Sequence, residues 1–176
     1  MQNQHRYSLP ARALHWLVAL GIIAAFALAL SFDDMPLGPG KIKLINYHKW
    51  IGITVLALAA LRLLWRLFKR PPAMPAQMAP WEKLVAHITH GLLYLLMFGV
   101  PLGGWLYSSA KGYPVVWLGL VQLPNLIDKT SVDAAHQLKE LHELGGWSVI
   151  LLAGLHAVAA LKHHFINKDD VLKRML

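Results

Sequence analysis

Four long apolar stretches dominate the chain, at about residues 13–32, 47–68, 84–107 and 144–165, and polar or breaker-rich segments separate them. Each reaches the roughly 20 apolar residues that a helix needs to cross a hydrocarbon core of about 30 Å. The pattern predicts an all-α protein, an integral membrane four-helix bundle. Ser8 and Pro10 offer a cap and an early-turn proline for the first helix. Ala27 and Ala29 behind a basic start also suit a signal peptide, but the unbroken apolar length predicts a retained helix. The connection 33–46 carries Pro36, Gly38, Pro39 and Gly40, and the connection 70–80 carries Pro71, Pro72, Pro75 and Pro80. The longest connection, 108–143, holds an apolar run at 115–121 that is too short to span. It reads as a re-entrant or surface-lying segment covering one face of the bundle.

Charge then orients the bundle. The side holding both termini carries eleven basic residues against three acidic ones, and the opposite side carries six of each, so the net charge of +8 falls almost wholly on one face. Because Lys and Arg near helix ends stay in the cytoplasm, both termini are expected there. Anionic lipid accounts for this basic excess more simply than nucleic acid does, and no nucleic-acid partner is expected. With 56% hydrophobic and 15% charged residues in 176, the chain reads as one domain over 1–176 with no room for a second. The absence of cysteine excludes a disulfide framework, a thiolate-held iron–sulfur cluster and covalent haem attachment.

Ten histidines carry the candidate chemistry: His5, His15, His48, His87, His90, His136, His142, His156, His163 and His164. A lone histidine at a membrane edge is ordinarily an interfacial polar residue. A set of them inside spanning segments is costly and points to function, and neutral imidazole is a common axial ligand of haem iron. His48 and His142 stand at the starts of the second and fourth helices, on the outer side, whereas His15, His87 and His90 lie near the starts of the first and third, on the inner side. His156 follows His142 by 14 residues. That spacing sets it about 21 Å further along the same helix and returns it to nearly the same face. One helix can thus serve two stacked b-type haems. By elimination the outer pair is His48 with His142, and the inner pair joins His156 to His15, His87 or His90. A zinc or non-haem iron site would add carboxylate or thiolate ligands, and the interior offers none.

Other residues fit more than one use. Gly52, Gly91, Gly99, Gly103, Gly104, Gly145, Gly146 and Gly154 give room for a flat macrocycle or for close helix packing. Trp16, Trp50, Trp65, Trp105 and Trp147 near helix ends read as an interfacial belt. Arg62 and Arg66 suit haem propionates or lipid phosphate equally.

Several strings together resemble the single-subunit bacterial cytochromes b561, over nearly the whole chain. They are Leu14-His15-Trp16, Tyr47-His48-Lys49-Trp50-Ile51-Gly52, Leu141-His142-Glu143, Gly154-Leu155-His156-Ala157, Lys162-His163-His164-Phe165 and the tail from Lys168 to Met175. The b-haem subunits of formate dehydrogenases and nickel–iron hydrogenases look similar in helix order and in the 14-residue spacing. The resemblance implies two haem b groups, with His15 and His156 as ligands of the cytoplasmic iron and His48 and His142 as ligands of the periplasmic iron. It leaves His87 and His90 in supporting or structural roles. It further implies a superoxide oxidase-like activity that takes electrons from superoxide and passes them to ubiquinone, with His163 at the quinone and no catalytic residue beyond the haems. Lys41, Lys43, Lys49 and Lys111 on the outer side suit attraction of an anion, although Asp33, Asp34, Glu140 and Glu143 offset them in number. The alternative is a haem b anchor subunit that passes electrons between quinone and a separate periplasmic redox protein, with 108–143 as its docking segment.

Overall fold

A computed structural model of the chain describes residues 6–75 and 78–176; His5 lies outside them. The described residues form four long helices, α1 (Leu9–Asp33), α2 (Pro39–Phe68), α3 (Pro80–Ala110) and α4 (Val132–Phe165), with a small antiparallel hairpin, β1 (Val116–Trp117) and β2 (Val121–Gln122), between α3 and α4. All four helices are long and apolar enough to cross a membrane. Large apolar side chains such as Leu20, Ile23, Leu95, Leu151 and Val158 are exposed along their outer faces, where lipid takes the place of a protein core.

Two helices start well before the apolar stretches that announce them. α2 begins at Pro39 and α4 at Val132, so His48 and His142 sit well inside their helices and not at their starts. The added turns are polar, which hides them from hydropathy but not from helix formation. Ser131 caps α4 by accepting a hydrogen bond from Ala134 N, Asp133 lies in the first turn, and Lys139 pairs with Glu143 at 2.7 Å one turn on. At 34 residues, α4 is about 51 Å long and projects beyond a hydrocarbon core of about 30 Å. Ser8 stands at the N-cap of α1, but its side chain does not cap: the hydroxyl accepts from Trp65 Nε1 at 2.8 Å.

The helices assemble as two close pairs. α1 runs along α2 and α3 along α4, α2 also meets α3, and α1 touches α4 only slightly. The buried cluster Val18, Val55, Ala59 and Met97 joins α1, α2 and α3. Gly21 lets the first pair close up, since a Cβ there would stand 2.6 Å from Val55 Cγ2. Among the described residues, α2 and α4 nowhere bring their Cα atoms within 8 Å of each other. The space between these two helices is spanned by side chains alone.

The connection after α3 folds as a hairpin. Its turn uses Leu118 and Gly119 at φ 55° and 72°, the left-handed region that glycine enters freely and leucine only at a cost. Trp50 Nε1 donates to Val116 O at 2.6 Å and Trp117 Nε1 to Thr54 Oγ1 at 3.1 Å, tying the hairpin to α2. Trp105 Nε1 donates to Pro124 O and Trp16 Nε1 to Met175 O. Four of the five tryptophans expected to form a belt therefore tie loops, tail and helix ends to the bundle. Trp147 is 59% exposed and stands edge-on to Phe26.

Candidate functional site

The outer histidines meet across the space between α2 and α4. The ring centroids of His48 and His142 lie 5.8 Å apart with the ring planes at 87°. Each ring is fixed from behind by a backbone carbonyl: His48 Nδ1–H donates to Ala25 O at 2.8 Å and His142 Nδ1–H to Val100 O at 2.9 Å. A carbonyl only accepts, so Nδ1 carries the proton and the Nε2 lone pair is left for a metal, the arrangement typical of a ligating histidine. Two metal–nitrogen bonds of about 2 Å on opposite sides of one iron set the ring centroids roughly 6 Å apart. The pair matches that separation.

Glycines shape the surroundings of this pair in two ways. Gly52 and Gly146 each lie one turn from their histidine on the same helix face, and a Cβ on either would meet nothing within 4 Å. Gly91, Gly99, Gly103 and Gly154 likewise border open space. Gly104 and Gly145 do the opposite. A Cβ on Gly104 would stand 2.7 Å from His142 Cε1, and one on Gly145 would stand 2.8 Å from Val100 Cγ2. These two glycines bring α3 against α4 where Val100 O meets His142. Gly104→Ala is accordingly expected to push the His142 ring off Val100 O and lower occupancy of the outer site while leaving the inner one intact, as read from haem content and the reduced spectrum; full occupancy would contradict this.

At the inner end, His156 on α4 lies near two other rings. Its centroid lies 6.3 Å from that of His15 on α1 and 5.3 Å from that of His90 on α3. The separation from His15 is nearer the value that two ligands of one iron require. His15 is held differently from the outer rings, because Arg62 Nη1 donates to its Nδ1 at 2.6 Å. In the neutral ring this puts the proton on Nε2, so ligation through Nε2 needs Arg62 to release Nδ1. Next to Arg62 is a cavity of about 570 Å³ whose lining includes Arg12, Arg66, Arg70, Tyr94 and His90. Arg62 and Arg66 both lie over the Tyr94 ring, at 5.8 and 5.5 Å from its centroid. Among the described residues no acidic side chain lines the cavity, so it favours carboxylate or phosphate groups.

The remaining histidines divide. His87 is exposed and donates Nδ1–H to Lys83 O of its own helix. His136 is exposed beside Glu140 on the projecting turns of α4. His163 is only 8% exposed and pairs through Nδ1 with Asp169 Oδ2 at 2.5 Å. His164 Nδ1 is buried without a hydrogen-bond partner. Among the described residues, no group of three or more His, Asp or Glu side chains comes together to hold a bare metal ion. His48 with His142 is a pair of imidazoles and His156 has two imidazole neighbours, His15 and His90, donors that suit haem iron.

Two contributors had no clear signal in the sequence. The carbonyls of Ala25 and Val100 act through their backbone, which any residue type supplies. Asp169 had only its place in the tail string.

Comparison with known proteins agrees with this donor set. A family model described as prokaryotic cytochrome b561 matches residues 6–176. Cytochrome b561 homolog 2 of Escherichia coli (strain K12) is 38% identical over 97% of this chain and 91% of its own length. The probable superoxide oxidase CybB of Yersinia pestis is 32% identical over 97% of this chain and 96% of its own. Cytochrome b561 homolog 1 of Escherichia coli (strain K12) is 28% identical over 98% and 97%.

Proposed function

The chain belongs to the prokaryotic cytochrome b561 family, and on that premise we propose that it is a superoxide:ubiquinone oxidoreductase holding two haem b groups stacked across the bilayer. Family membership makes it a multi-pass haem b protein of the bacterial inner membrane and an electron-transfer oxidoreductase. The finer reading is carried by one observation, the placement on α4 of two histidines a fixed distance apart, each facing an imidazole of another helix. In this reading His48 and His142 hold the outer haem and His15 and His156 the inner one, with both termini in the cytoplasm. The bound haems supply reversible one-electron redox chemistry at two depths.

The protein's own part is to bind, orient and shield. Ala25 O and Val100 O fix the outer imidazoles with Nε2 free, and Gly104 leaves room for the His142 ring. Arg62, which donates to His15 Nδ1, would be the group to bind a haem propionate, and the arginine-lined cavity beside it would suit that carboxylate. Superoxide is drawn to the outer end by lysines that have no carboxylate partner among the described residues. Lys41 donates to Asp33 O and Met35 O, Lys43 lies over the Tyr47 ring, and Lys49, next to His48, donates to Ser108 Oγ at 2.7 Å. Lys139 is instead neutralised by Glu143. Ubiquinone binds at the inner end, where His163 passes it protons taken from the cytoplasm.

The overall balance is two superoxide, one quinone and two protons giving two dioxygen and one quinol. Mixing the purified chain with a superoxide pulse in stopped flow, with a short-chain ubiquinone present, is expected to give fast haem reduction followed by quinol. Inertness toward superoxide, together with co-purification of a periplasmic dehydrogenase or cytochrome, would favour the anchor-subunit reading. Lys49→Gln should slow haem reduction by superoxide roughly tenfold at low ionic strength, with the difference shrinking as salt is added. An equal rate at all ionic strengths would remove Lys49 from the path of the anion.

A further inference from the structure

The residues after α4 fold back over the inner end of the bundle. Asn167 N and Asp169 N donate to Lys162 O and His163 O, Tyr7 N donates to Arg174 O, and Trp16 Nε1 donates to Met175 O. The Arg174 guanidinium is hydrogen-bonded to Ala73 O. The tail thereby joins the end of α4 to the start of α1 and to the α2–α3 connection. Within it, Asp169 has both carboxylate oxygens engaged: Oδ1 accepts from Val171 N at 3.0 Å, and Oδ2 meets His163 Nδ1 at 2.5 Å. The carboxylate is three-quarters covered and the imidazole nine-tenths covered. The pair is shielded enough from water to act as a directed unit and not as a solvated surface contact.

From this geometry we infer that Asp169 is a positioning residue for His163, holding the Nδ1–H of the imidazole so that Nε2 is the atom that exchanges protons with the quinone. The inference rests on the reading of His163 as the quinone's proton donor. A carboxylate only accepts, so the Asp169 bond places one ring proton on Nδ1 and fixes the ring plane by the same contact. Asn167 Nδ2, 3.2 Å from Nδ1, borders the pair but cannot donate to a nitrogen already carrying a proton. When the ring is doubly protonated, the negative Asp169 offsets its charge and holds Nδ1–H, which leaves Nε2–H as the proton to transfer. In each transfer the Nε2–H bond breaks and an O–H bond forms on a quinone oxygen. The accompanying electron comes from superoxide, which leaves as dioxygen, and the ring regains its proton from water on the cytoplasmic side. The neighbouring Lys162–Glu82 ion pair, 2.9 Å between Nζ and Oε1, keeps one further carboxylate engaged next to His163.

The tail offers a simpler role for Asp169, that of a strap, and the test separates the two. Asp169→Asn keeps the shape and removes the charge, and its amide can donate to Nδ1 and force the opposite tautomer. The expected result is full haem content, an unchanged rate of haem reduction by superoxide, and quinone reduction slowed tenfold or more in kcat with KM unchanged. Asp169→Glu should recover part of the rate. Adding Asp169→Asn to His163→Ala should cost nothing further, because the two act as one unit. A drop in haem content matching the drop in rate, or a normal kcat in Asp169→Asn while His163→Ala is slow, would overturn the inference and leave His163 in place. An unchanged rate in His163→Ala would instead overturn the reading on which it rests.

Discussion

Replacing His142 by alanine is expected to remove one of the two haems from each chain, to leave the other in place, and to abolish reduction by superoxide. The truncation deletes the imidazole that faces His48 at 5.8 Å and leaves Val100 O without its donor. No other described histidine is positioned to replace it, since His136, six residues earlier on α4, is exposed beside Glu140. The inner group of His15, His90 and His156 shares no hydrogen bond with the outer pair, so its haem should persist with an intact reduced spectrum. Haem content near one per chain, measured after reconstitution with excess haem, checks the outcome. Retention of two per chain would contradict the pairing of His48 with His142.

His163→Ala should have the second largest effect, and its signature is different. Both haems should remain and superoxide should still reduce them, while steady-state quinone reduction slows by about 10²-fold or more, the usual scale for loss of a positioned proton donor. Electrons then accumulate on the haems, so under turnover the spectrum should shift toward the reduced form. The buried setting of His163 against Asp169 distinguishes it from His164, whose Nδ1 has no partner. Stopped-flow traces at the haem absorbance and at the quinone absorbance separate the two halves of the reaction. An unchanged quinone rate would remove His163 from the site.

Much of this architecture was legible in the sequence, for a physical reason. A hydrocarbon core demands long apolar helices and makes ionisable side chains within them expensive, so the helices and the histidines stand out from the composition. The 14-residue interval between His142 and His156 converts directly into depth and facing because an unbroken helix has fixed rise and twist. The same reasoning failed where the bilayer stops. The outer turns of α2 and α4, with Lys41, Lys43, Asp133 and Lys139, are polar and helical, and hydropathy sees only the first property. The 115–121 run forms a hairpin that Trp50, Thr54 and Trp117 tie to α2, contacts that composition does not show.

The inner pairing shows a different limit. Spacing left His15, His87 and His90 equivalent, and the fold separates them by leaving His87 exposed and bringing His15 and His90 near His156. The glycines were visible, but not their opposite uses: Gly104 is small so that His142 can stand against it, whereas Gly52 and Gly146 border open space. Which glycine does which depends on the neighbouring helix, information that a single chain read in order does not carry. Asp169 falls in the same class, since its partner His163 is reached by the tail folding back over the end of α4.

The central claim is that this chain holds two b-type haems, each between two imidazoles on different helices. The most direct measurement is the haem-to-protein ratio of the purified chain, from its pyridine haemochrome absorbance set against quantitative amino-acid analysis. The account predicts two noncovalently bound haem b per chain. A ratio of one or none in protein reconstituted with excess haem would contradict it.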